Sequence, residues 1–96
     1  MKDHNPRITC GDGFSISVQG SSFSYATPRV DNPPNGYTHV ECGFPSTTPK
    51  TVELRNYAEL CGTDDYTETV YGYVPVEVVR AELDAHGGIV SGRMPK

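Results

Sequence analysis

Residues 70–88, VYGYVPVEVVRAELDAHGG, constrain the fold more than any other stretch of the chain. They read as a strand that runs directly into a short helix closed by glycines. The strand alternates, with Val70, Gly72 and Val74 on one face and Tyr71 and Tyr73 on the other. Pro75 falls at a first helical position, where its preset φ suits the helix and its missing N–H costs nothing. Val76, Val79 and Leu83 then recur at i, i+3 and i+7 as one apolar stripe, which leaves Glu77, Arg80, Glu82 and Asp84 to face water. Gly87 and Gly88 supply the left-handed stop.

Upstream, the pattern is that of strands and turns. Gly11-Asp12-Gly13 separates RITC from FSISVQ, and Asp-Gly between apolar runs signals a hairpin. Phe14, Ile16 and Val18 alternate with Ser15, Ser17 and Gln19, a half-buried strand with one wet face. Residues 20–24 are small and polar, a turn or the start of a further strand through Phe23 and Tyr25. Residues 27–36 form a loop in which Pro28, Pro33 and Pro34 remove backbone donors, a stiff arm carrying Arg29, Asp31 and Asn32. Residues 37–44 make the next strand, with Thr38, Val40 and Cys42 opposite Tyr37, His39 and Glu41. Residues 51–60 fit either a short helix or extended chain. The expected fold class is α+β: one domain over residues 1–96, a small mostly antiparallel sheet of about four strands, and a C-terminal helix on one face. Residues 7–90 form the ordered core of this expectation, with flexible ends at 1–6 and 91–96.

Composition sets limits on function. The apolar fraction is 35%, and the 10 glycines and 8 prolines favour loops over core. The net charge of −4 is uneven: residues 53–84 hold eight acids against Arg55 and Arg80, while residues 1–52 balance. Without a Lys/Arg cluster to neutralise phosphates, direct binding of nucleic acid is not expected. Residues 1–20 lack the apolar centre of a signal peptide and no run is long enough for a membrane span, so the expected location is the cytoplasm with reduced thiols. The spacing of Cys10, Cys42 and Cys61 leaves a Cys10–Cys42 pair open.

No chemistry announces itself. His39 and Glu41 share a strand face, but the paired spacings of a zinc site are missing, and surface or cross-strand roles are the simpler reading. No nucleophile stands in a recognised pattern, and a domain this small has little room for a closed pocket. Gly11-Asp12-Gly13 carries an acid and precedes no helix, unlike a phosphate loop. No catalytic residue, metal site or cofactor is therefore assigned, and the expectation is a protein that is not an enzyme. The six tyrosines without a tryptophan are the remaining signal, since tyrosine either covers a core or anchors an interface.

In GFSISVQ, FSYATPR, YTHVECGFPS, NYAE and TVYGYVPVEVVRAELDAHGG the chain resembles a group of small phage and prophage proteins with the same order of segments. The likeness runs over residues 13–88, with Ala26 standing where a cysteine is expected. The group has no assigned activity, so the resemblance transfers no catalytic residue. It implies a context: small acidic phage proteins often bind and block host machinery, as anti-CRISPR proteins do. The expected function is a non-enzymatic inhibitor of a host-defence complex, most directly a CRISPR effector. The contact residues expected on that basis are Arg29, Asp64, Asp65, Glu68, Tyr71 and Tyr73. The alternatives are a sponge for a small nucleotide signal, built between protomers, and a structural or regulatory phage protein unrelated to defence.

Overall fold

The computed structural model describes residues 4–96. The strands β1 (Ile8–Cys10), β2 (Ser15–Gln19), β3 (His39–Gly43), β4 (Val70–Pro75) and β5 (Ile89–Ser91) form one antiparallel sheet in the order β4-β3-β2-β1-β5. Two helices complete the fold, α1 (Val52–Arg55) and α2 (Val76–Ala85). The α+β reading holds, with a C-terminal helix on a small antiparallel sheet.

The β1–β2 hairpin turns at the expected Gly11-Asp12-Gly13. Phe14 N–H donates to Asp12 Oδ1 at 2.9 Å, and Gly13 takes φ +93°, which its missing Cβ permits. Ile8, Ile16, Val18, Val40, Cys42 and Val74 point from the sheet into one core, and Val79 and Leu83 of α2 and Leu54 of α1 close over them. The apolar stripe of the helix is therefore where its spacing put it. Pro75 sits one step earlier than expected. Its ψ of 136° keeps it in β4 as the residue before the helix, and Val76 N–H is satisfied by Thr38 C=O instead of by a side-chain cap. At the other end Gly88 N–H reaches Leu83 C=O and Gly87 N–H reaches Asp84 C=O, both glycines at positive φ.

Three expectations need correction. Tyr71 and Tyr73 do not share a face. In the β3–β4 pair Val40 faces Val74 and Cys42 faces Tyr71, so Gly72 and Tyr73 together oppose Glu41 alone. This bulge, with Tyr73 at φ +51°, breaks the alternation and places Tyr71 beside Val74 in the core. The Tyr71 hydroxyl donates to Tyr66 C=O at 2.6 Å, and burial pushes its ionisation well above the usual tyrosine range. Tyr71 has no exposed surface and is not a contact residue. Glu82 does not face water either; it is 1% exposed.

Residues 89–91 form β5, Met94 packs on the core, and Asn5 is buried, donating from Nδ2 to Val18 C=O and Arg93 C=O. Of the expected loose start at 1–6, residues 1–3 lie outside the described residues. The ambiguous 51–60 segment resolves into both of its options. Thr51 caps the single turn of α1, and Glu59 then runs extended, its N–H donating to Val70 C=O. No disulfide joins the described residues: Cys10 and Cys42 are buried thiols and Cys61 is exposed.

Candidate functional site

Two places in the molecule concentrate polar or aromatic groups. The first is a relay, buried at Glu82 and His86 and open to solvent at Asp12, that the sequence reading missed. His86, 3% exposed, sits at the C-terminal end of α2. Its Nδ1 lies 2.7 Å from Asp12 Oδ2 in the hairpin turn, and its Nε2 lies 2.7 Å from Glu82 Oε2 one helical turn back. The Phe14 ring stacks on the imidazole at 3.8 Å and 5°. Glu82 also accepts from Lys50 N–H, Thr51 N–H and the Thr51 hydroxyl, all within 2.9 Å. Burial opposes the charge on Glu82, but the Thr51 and Lys50 amides, the Thr51 hydroxyl and His86 outweigh it and hold the carboxyl below its ordinary range. Asp12 is held low by the Phe14 amide first and by His86 next.

The geometry decides what this relay can do. Both ring nitrogens of His86 are already engaged by carboxylate oxygens at 2.7 Å. A general base or a metal ligand needs a free nitrogen. The relay instead fastens three pieces of chain together: the hairpin turn, the entrance to α1 and the end of α2. Its sequence signal was present as Glu82 and His86 at i, i+4, which places both on one helical face. Among the described residues no group of three or more His, Cys, Asp or Glu side chains is placed to hold a metal ion. Among them, also, no helix is long and apolar enough to cross a membrane.

The second place is a surface on the sheet face opposite the core. Tyr73, carried outward by the bulge, stacks against Tyr25 with ring centroids 5.7 Å apart. Tyr25 C=O accepts from Tyr73 N–H at 2.9 Å, so backbone and rings are held together. The Arg29 guanidinium lies 5.3 Å from the centre of the Tyr25 ring, a cation–π contact. Glu41 and Glu59 border the pair: Glu41 Oε2 accepts from Tyr25 N–H, and a Cβ on Gly72 would meet Glu59 Oε2 at 2.6 Å and Tyr25 at 3.3 Å. Gly72 is what lets the tyrosine and the strand approach so closely. Both tyrosines remain substantially exposed, and Phe23 on the same loop is the most exposed large apolar side chain described, at 73%. Beside this pair the open face continues as a groove of about 330 Å³ whose walls include His4, Arg7, Glu41 and Phe44.

The expected contact residues thus divide. Arg29 and Tyr73 come together, joined by Tyr25, which the sequence reading did not single out. The proline-rich arm is largely exposed but tied back: Val30 C=O accepts from the Tyr37 hydroxyl, Pro33 is buried, and Asp31 accepts from Ser22 N–H. Asp64, Asp65 and Glu68 lie exposed on the loop before β4, as expected of an acidic surface. Asp65 is already engaged there by the Thr67 hydroxyl and amide, in that order, which hold its carboxyl low. Glu82, counted among the eight acids of the stretch, belongs to the relay and not to the surface.

No protein-family model, no curated protein and no solved structure matches the chain.

Proposed function

We propose that this protein works by binding: it is a non-enzymatic, phage-type inhibitor that docks on a host-defence protein complex, with a CRISPR effector as the partner. The observation that carries the binding reading is the exposed Tyr25–Tyr73 stack with Arg29 laid on it. Stacked, backbone-anchored aromatics lose little conformational freedom on docking, and tyrosine and arginine are the side chains that dominate binding energy at interfaces. The exposed acids of residues 53–84, Glu82 apart, supply the charge that favours encounter with a basic, nucleic-acid-handling surface. The choice of a defence complex rests on the resemblance to small phage proteins.

The test is the plating of a phage on a bacterial strain whose CRISPR system targets that phage, with and without the protein expressed. The proposal expects plating to recover by at least about a hundredfold, and a Tyr25→Ala/Tyr73→Ala chain to lose that recovery. Unchanged plating against each CRISPR type tried counts against the partner named here. A thermal shift with a cyclic nucleotide, absent from the chain altered at Arg7, would favour the sponge reading.

A further inference from the structure

The two edges of the sheet are treated differently. At the β4 edge the chain closes its own ladder: Glu59 N–H donates to Val70 C=O, Tyr73 N–H donates to Tyr25 C=O, and Ala58 bridges to Tyr71. At the other edge β5 is paired to β1 alone, and none of the described chain is laddered against its outer side. The edge is limited only by its three-residue length and by the register shift in its pairing with β1. Its residues are Ile89, Val90 and Ser91, with no charge and no proline, and Ile89 and Val90 are 42% and 68% exposed. Natural sheets blunt such edges with lysines, prolines or a covering loop, because unpaired N–H and C=O groups template pairing with another strand.

We infer that β5 is a self-pairing edge, and that two copies of this protein join β5 to β5 in a closed two-fold dimer with one continuous ten-stranded sheet. Closure follows from the first observation. The β4 edge is already occupied, so a β5 edge finds no β4 edge to meet, and among the described residues the strand pairing left between copies is β5 with itself, which consumes both edges. Antiparallel pairing about a two-fold axis normal to the sheet puts both α2 helices on the same face. There the groove of about 250 Å³ beside β5 is lined by Leu83, Ile89 and Met94, with Arg80 and Asp84 at its rim. One cation and one anion a helical turn apart form a self-complementary pair across a two-fold axis, which a partner of single-signed charge does not match. A three-residue strand with two aliphatic side chains is a small contact, well short of the roughly 800 Å² per partner of a standard interface. The dimer is accordingly weak and concentration-dependent.

Sedimentation equilibrium of the full chain, from about 1 µM to about 1 mM, reads this directly. The expected result is a mass that rises from the 10.5 kDa of one chain toward twice that value and stops there. Val90→Lys, at a side chain that packs on little of its own fold, is expected to weaken association at least tenfold while melting like the parent. Three results overturn the inference: a mass that stays at one chain throughout, which leaves the edge to a strand of another protein; growth beyond two copies; and a Val90→Lys chain that dimerises as the parent does. If Val90→Lys fails to fold, the parent mass together with slowed amide exchange in residues 89–91 at high concentration takes its place, and exchange that does not slow counts as the overturning result.

Discussion

Replacing Glu82 by alanine tests the relay most sharply. The carboxylate is 1% exposed and accepts four hydrogen bonds, two on each oxygen. Its removal strands the Thr51 and Lys50 amides and leaves the His86 ring facing Asp12 alone. Removing a buried carboxylate from a fully hydrogen-bonded network costs about 3–5 kcal/mol, as for a buried ion pair broken on one side. The stranded amides add about 1 kcal/mol or more each where water does not reach them. These losses share one site and are not additive, so the expected total is about 3–5 kcal/mol. At about 4–8 °C per kcal/mol for a domain of this size, the melting temperature falls by about 12 °C or more. Glu82→Gln keeps an oxygen for Thr51 and costs about half as much. Thermal unfolding followed by circular dichroism at neutral pH supplies the readout. The pH dependence adds a second one. Glu82 and Asp12 are held below their ordinary values of 4.5 and 3.8, so the stability they contribute is present above those values and is lost as the pH falls through the folded-state values. Glu82→Gln should flatten that acid limb. A Glu82→Ala chain that melts within about 2 °C of the parent refutes the argument that this network holds the fold together.

The remaining predictions concern the core and the open face. Tyr71→Phe removes the bond to Tyr66 C=O and costs about 0.5–1.5 kcal/mol by denaturant titration. Because the Tyr71 phenol is raised above its ordinary 10.0, the unfolded chain ionises first on going alkaline, so stability falls as the pH passes that value, and Tyr71→Phe should lessen the fall. Gly20→Ala would place a Cβ 2.7 Å from the buried Tyr37 ring, which has no room to yield, and costs about 1–3 kcal/mol in the same assay. Native protein should show a single thiol reactive toward a disulfide reagent, Cys61, because burial raises Cys10 and Cys42; three fast thiols in the native state contradict the core described here.

What the sequence revealed and what it hid follow from one distinction. Local signals were legible: the Asp-Gly hairpin, the valine and leucine stripe of α2 and the glycine stop each depend on neighbours within a few residues. The side of β4 on which each tyrosine lies was not, because one extra residue against Glu41 reverses the alternation, and a bulge is a property of the pair of strands. Glu82 was read as a solvent-facing acid because the backbone it holds, at Lys50 and Thr51, lies 32 and 31 positions away. Of the candidate surface, Arg29 and Tyr73 were named from sequence. Their connection through Tyr25 was invisible, since it needs residues 20–26 folded against the β4 edge.

The most direct test of the binding account is affinity capture from a lysate of the bacterial host, with the tagged parent chain and a Tyr25→Ala/Tyr73→Ala chain side by side. Mass spectrometry identifies what each retains. The account predicts that the parent recovers a subunit of a defence complex in near-equal amount and that the altered chain, folded as judged by its melting curve, loses it. Recovery of the bait alone by both chains, or equal recovery of the same subunit by both, contradicts it.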